Sequence, residues 1–494
     1  MQVAVYRNSD VYFEEANFTS SHNIAPSMCF TNCPACAESD DVTFAFLEGD
    51  TYLLGIVSIH EADPDFPFNC SVFRATSFDV GITESFLHTT HLMRSETGIN
   101  YGAILLDDCY SSALIELVLT GIMSRQTTLR NPNTGEVIDV GKIAAVISTV
   151  GSTVTILASL LMKEFNIPII ASSATSPDLD DRINFPYFLR TVPSDVEQGK
   201  AMVDVVKRLG WEYISVMYVK NNYGNKGKVV VEQFARLEDI CVAKETEGIS
   251  DVIDDDTISD LGEVATRLNN HKTDMVIYFG TNTMIEQFLA VSQTNSFVFL
   301  GSEDWGDNPY TIETGGDATL GSLTMKNEAY SPADNKFTDY LRNATPANVP
   351  GSRNPWFAQY WEEHFKCDLR QTITNKYHQT CTEGATLDEE TVNTMSINQR
   401  VLHLTEAVRS VTIGLKRAKD AYCNFEPEFP CPNFFNYIHL VVDILKGVKV
   451  KRRGEDVRVF NDDGNGNVGF IITNIQRKND GKLAYVDVSY NSVS

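Results

Sequence analysis

The chain alternates short apolar runs with stretches whose apolar residues return every three or four positions. The first kind reads as strand and the second as amphipathic helix. Tyr52–Ile59, Ala103–Leu106, Ile143–Ser148 and Pro168–Ala171 are strand candidates. Thr83–Leu92, Ala113–Met123 and Val154–Phe165 are helix candidates between them. From Asp195 the rhythm resumes, with helix at Val196–Leu209, Gly227–Leu237 and Thr283–Ser292. Strand is expected at Tyr213–Val219, Met275–Phe279 and Phe297–Leu300. Repeated strand–helix units predict parallel sheets covered by helices on both faces. Two blocks of such units predict an α/β fold of two doubly wound lobes. After Trp305 the rhythm loosens. Asn335–Asn343 and Asn398–Ala418 read as helix, and Val457–Phe460 with Gly469–Ile475 read as the arms of a hairpin.

At 494 residues the chain is too long for one core, since domains usually hold about 100–200 residues. The boundaries expected are an extension at 1–45, a first lobe from 46–193 plus 329–449, and a second lobe from 194–328 plus 450–494. Met1–Thr19 lacks the continuous apolar run of a signal peptide. Ile143–Met162 carries no charge, but its many Ser, Thr and Gly residues make it a buried strand, a turn and a helix start rather than a membrane span.

Charge narrows the partners. Forty Lys and Arg stand against 66 Asp and Glu, a net −26. Nucleic-acid binders concentrate positive charge, so a phosphate backbone is not the expected partner. The 10 cysteines, several in loop-like sequence, occur with sequons at Asn17, Asn69 and Asn343. Together they favour an oxidising, extracellular setting with glycosylation at those asparagines.

In open parallel sheets, ligands bind at the carboxyl ends of strands. Ile143–Ser148 runs into Thr149–Thr153 and a helix start, where Ser152 could hold a carboxylate or simply cap the helix. Pro168–Ala171 ends in Ser172-Ser-Ala-Thr-Ser176, a hydroxyl-rich stretch that an ordinary turn would also explain. Asp195 opens the next helix, as a cap or as a partner for an ammonium group. Tyr223 could offer its ring to a cation, and Glu303 follows the strand at Phe297–Leu300. Jointly these residues suit a zwitterion. Other motifs carry less. Gly464-Asn-Gly-Asn-Val-Gly469 fits a dinucleotide pattern, but neither a clear helix nor the acidic residue about twenty positions on follows. The same stretch lacks the glycine and glutamate of a calcium loop. His88 and His91 lack a third metal ligand, and Asp254-Asp-Asp256 reads as a solvated loop. No nucleophile triad or Walker motif stands out. The expectation is a binding protein, not an enzyme, with no cofactor and no metal.

Several stretches resemble the ligand-binding domain of class C G-protein-coupled receptors, nearest the metabotropic glutamate receptors. They are Ser172–Leu179, Phe188–Asp195, Ala201–Arg208, Trp211–Ser215, Asn222–Gly224, Gly301–Trp305 and Arg353–Phe357. The resemblance implies a Venus-flytrap module that hinges shut on an amino acid, on the extracellular side of the plasma membrane. It places Ser152, Ser173 and Thr175 on the ligand backbone, and Asp195, Tyr223 and Glu303 on its ammonium group. At the Glu303 position glutamate receptors carry Asp, whereas the related calcium-sensing receptor resembles this chain. The family's Tyr and Arg for a distal carboxylate become about Ser77 and Gly81, and a further basic residue becomes Asn308. Arg400 alone matches a late Lys in charge, with Arg74 as a possible substitute. Glutamate recognition therefore looks weakened, and Arg400 disfavours Lys or Arg as ligand. The resemblance further implies disulfides Cys70–Cys109, Cys367–Cys381 and Cys423–Cys431. In the family, Cys241 pairs with a cysteine-rich domain. Cys29, Cys33 and Cys36 have no counterpart. A homodimer would rest on first-lobe faces such as Leu157, Leu161 and Phe165. Membrane and G-protein contacts would lie in regions outside this sequence. A guanylate-cyclase or ionotropic receptor ectodomain, or a secreted non-signalling binder, is the alternative.

Overall fold

In the computed structural model the described residues are 2–7, 10–15, 42–62, 70–244, 246–252, 255–292, 297–331, 335–346, 354–369, 376–423, 426 and 428–488. Asn17, Asn69, Cys29, Cys33, Cys36, Arg353 and Asp254 lie outside them. Gln2–Arg7 and Asp10–Glu15 pair as an antiparallel ribbon in a unit of their own.

The rest, Thr43–Ser494, forms one unit built on two sheets. Across the first sheet the strands run Phe188–Arg190, Ile169–Ala171, Ile143–Ser148, Thr51–Val57, Tyr101–Asp107, Phe44–Leu47. All pairs are parallel except the last. Thr51–Val57 is buried at every position, because a central parallel strand is covered on both faces. Ser77–Thr97, Gln399–Tyr422 and Ile438–Lys446 bring Phe86, Val408 and Val441 onto this sheet in one core. Ser112–Met123 packs beside Ser152–Glu164. The expected Thr83–Leu92 helix is longer, at Ser77–Thr97. Asp79 starts it by accepting the Thr76 N–H at 2.8 Å, a cap that lies ahead of the apolar period.

Across the second sheet run Cys241–Val242, Tyr213–Val219, Met275–Phe279, Val298–Gly301, Leu323–Asn327, Phe470–Arg477 and Leu483–Val488, with Glu247–Ile249 also on Tyr213–Val219. The two C-terminal strands run antiparallel to their neighbours. Asp195–Arg208 and Asn222–Leu237 pack on one side, and Asp255–Asn270 with Asn282–Ser292 make a second core.

Three expectations need correction. Val457–Phe460 and Gly469–Ile475 are not arms of one hairpin. Glu455–Arg458 pairs with Lys449–Arg452, while Phe470–Arg477 joins the second sheet. Val459 and Phe460 stay in the first core, so the chain leaves it later than 450. Of the acidic run read as loop, Asp255 and Asp256 start the Asp255–Asn270 helix instead, where a carboxylate such as that of Asp256 suits the N-terminal end of the helix dipole.

The chain crosses between sheets at 191–194, again after Asn327, and again between Phe460 and Phe470. The glycine-rich stretch expected as a hairpin tip is part of that last crossing. Gly464 takes φ +83°, and a Cβ on Gly466 would lie 2.3 Å from Thr191 O. Glycine lets this crossing run against the first: Arg190 N–H donates to Gly464 O at 3.0 Å, and Gly466 N–H to Val192 O at 2.9 Å. Asn465 bridges Arg190 Nε at 2.9 Å and Asp180 at 3.0 Å.

Candidate functional site

The carboxyl ends of strands from both sheets meet across a cleft. Ser172–Ser176 follows Ile169–Ala171 and is pinned at both ends: Ser172 N–H donates to Ser148 O at 2.9 Å, and Ser176 N–H to Ser152 Oγ at 3.1 Å. Ser152 thus supports this loop, although an accepting hydroxyl still carries a proton to donate. Thr175 Oγ1 reaches Glu303 Oε1 across the cleft at 3.4 Å. Tyr223 OH donates to Glu303 Oε2 at 3.0 Å. Asp195 begins its helix behind Ser194, whose hydroxyl accepts the Val196 N–H, so Asp195 is released from capping. Gln198 joins the two carboxylates. Its Nε2 donates to Asp195 Oδ1 at 2.8 Å, and its Oε1 accepts the Glu303 N–H at 2.7 Å.

Charge inside the cleft is unbalanced. Asp195 and Glu303 are both buried. Arg190, behind Asp195, is committed to Asp180 Oδ1 at 2.5 Å and Ser176 O at 3.0 Å. Burial pushes Asp195 up to about 7, against the pull of Arg190, Thr175 and Gln198. Glu303 is raised well above the ordinary carboxylate range by burial, then by the charges of Asp195 and Asp304. Asp195 Oδ2 is buried with no hydrogen-bond partner. The cluster has room for one more positive charge, and an ammonium group supplies both charge and hydrogens.

Ser173, Glu303 and Arg400 also line an interlobe cavity of about 20 Å³, roughly the space of one water. Asn327, Gln399 and His403 line it with them, and none of these three stood out in the sequence. Asn327 ends Leu323–Asn327, a strand hidden in the region where the rhythm loosened. Gln399, Arg400 and His403 share one face at the start of one helix, so the spacings 399/403 and 400/403 were a readable signal. Gln198 had a similar signal, three positions after Asp195 on one helix.

Residues 96–397 match the family model described as the receptor family ligand binding region. The chain belongs to this family. It is a receptor ligand-binding domain, and the two-lobed α/β architecture is the fold of that family. The disulfides fit an extracellular receptor domain. Cys70–Cys109, Cys367–Cys381 and Cys423–Cys431 are formed, with Cα separations of 5.6, 4.8 and 5.8 Å. Cys241 is an exposed free thiol. Asn343 is exposed after the Lys336–Arg342 helix. Among the described residues no helix is long and apolar enough to cross a membrane. His60, Cys70 and Asp107 have metal-ligand spacing, but the Cys70 sulfur is bonded to Cys109.

In this receptor domain the expected distal-carboxylate positions have other work. Ser77 opens the Ser77–Thr97 helix. A Cβ on Gly81 would lie 2.7 Å from Met395 Cα, so the helices touch there and no long side chain fits. Asn308 caps Pro309–Gly315 by accepting the Tyr310 N–H at 2.9 Å. Arg74 is exposed and paired with Glu61 at 2.9 Å, so it does not substitute in the cleft. Arg400 is ion-paired with Asp304. That pair balances its charge.

Proposed function

We propose that this receptor domain binds a free L-amino acid through its ammonium group, as the extracellular part of a class C G-protein-coupled receptor. Lobe closure on the ligand is the signal. The observation that carries the reading is the unpartnered, buried Asp195 oxygen beside Glu303, Tyr223 and Thr175. Ser173, with the Ser152 hydroxyl behind it, takes the ligand carboxylate. The helices Ser112–Met123 and Ser152–Glu164 support a homodimer. Leu117, Leu160 and Phe165 are 61%, 42% and 37% exposed, with Leu157 and Leu161 half-buried beside them.

The test is a thermal-shift screen of the oxidised chain against the twenty amino acids. A ligand that binds only the folded state adds about 2.7 kcal/mol at a hundredfold excess over its dissociation constant. Stabilisation by one or more amino acids, lost in Asp195→Ala and Ser173→Ala, supports the reading. A flat response to all twenty sinks it.

A further inference from the structure

The inner end of the cleft contains more unsatisfied polar atoms than the ammonium site explains. Asn327 Oδ1, Gln399 Oε1 and His403 Nε2 are each buried without a hydrogen-bond partner. All three residues line the same cavity of about 20 Å³. Buried polar atoms are nearly always paired, and an unpaired one is costly. Three at one point, delivered by a strand end and a helix start, mark a place where a ligand brings the missing partners.

Their chemistry restricts that ligand. Two of the atoms are amide oxygens, which accept. His403 offers no positive charge: burial, then Arg452, hold its imidazole down to about 3. Arg400 is occupied by Asp304. Glu303 lines the cavity beside this Arg400–Asp304 pair, so an acidic side chain would meet no free positive charge there. An apolar side chain would leave the acceptors unpaired. A carboxamide brings two hydrogens for the two oxygens; a hydroxyl brings one and can also accept from His403 Nε2 in its N–H tautomer. The space corresponds to about one water-sized group, which suits the hydroxyl.

We propose that the inner cleft is a side-chain subsite for amino acids with a short, uncharged, hydrogen-bond-donating side chain, a hydroxyl foremost. Asn327, Gln399 and His403 determine this specificity, and Asp304 holds Arg400 away from an acidic ligand. This rests on the amino-acid reading above.

Isothermal titration calorimetry of the whole chain with serine, alanine and glutamate tests it. Serine should bind at least about tenfold tighter than alanine, because alanine lacks the donor. Asn327→Leu should bring that ratio toward one, and Gln399→Leu, on a half-buried helix start, repeats the test should the first variant fold poorly. Asp304→Asn should free Arg400 and raise glutamate affinity by about tenfold. Alanine binding as tightly as serine, or glutamate outbinding serine in the unaltered chain, overturns the subsite but not the amino-acid reading. Binding of other amino acids but none of these three does the same. Binding of no amino acid overturns both.

Discussion

At Asp195 a carboxylate is buried beside groups that do not neutralise it, and the cost has a pH signature. Arg190, Asp180 and Glu303 are the charged groups around it, with Gln198 as its hydrogen-bond partner and Thr175 nearby. Its folded value, about 7, lies above the ordinary 3.8. Between these values the folded chain binds more protons than the unfolded one, so stability falls as pH rises through the window. Asp195→Asn keeps the shape and removes the titration. Its unliganded melting temperature should therefore exceed that of the native chain at pH 8 and converge with it near pH 4, as scanning calorimetry will read. Equal pH profiles would place the raised carboxylate elsewhere. The type of residue at this position was legible from its place at a helix start. That it does not cap the helix was not, because only the fold shows Ser194 doing the capping.

At the scale of elements, strand ends carry the site and helix contacts decide what it lacks. The apolar runs located the buried strands well: Ile143–Ser148, Tyr213–Val219 and Met275–Phe279 end where expected. Leu323–Asn327 escaped notice because Thr324, Lys326 and Asn327 interrupt its apolar run; it lies between Val298–Gly301 and the distant C-terminal strand Phe470–Arg477. Gly81 shows the limit of reading by resemblance. Its position suggested a lost ligand contact, and the structure adds that it is a helix-crossing point against Met395. Gly81→Ala pushes a methyl into backbone that has no rotamer to yield. It should cost about 1–3 kcal/mol, measurable by urea unfolding. A neutral outcome would mean the two helices are not packed this closely.

Across the whole molecule, several links join the two lobes. Arg400 meets Asp304 and Thr175 meets Glu303 inside the cleft. At the rim Asp178 accepts from Asn222 at 2.7 Å and pairs with Lys226 at 2.7 Å. Rim pairs of this exposure contribute about 0–1 kcal/mol. Asp178→Ala should therefore enlarge the radius of gyration of the unliganded chain in small-angle scattering and weaken ligand affinity by less than about fivefold. An unchanged radius would mean the inner links alone hold the lobes. The last crossing is locked by Asn465 to Arg190 and Asp180. The sequence by itself determined the strand–helix rhythm, and hence two parallel-sheet lobes with polar residues at their strand ends, because periodicity is a local property of the chain. It also supplied the marks of the receptor family, and with them the cysteine pairs. Tertiary structure alone decided which charges are already spent, as with Arg400 on Asp304, and which buried atoms remain unpaired, as at Asn327 and His403. Those facts depend on residues far apart in the chain meeting in a space too small for water to screen them.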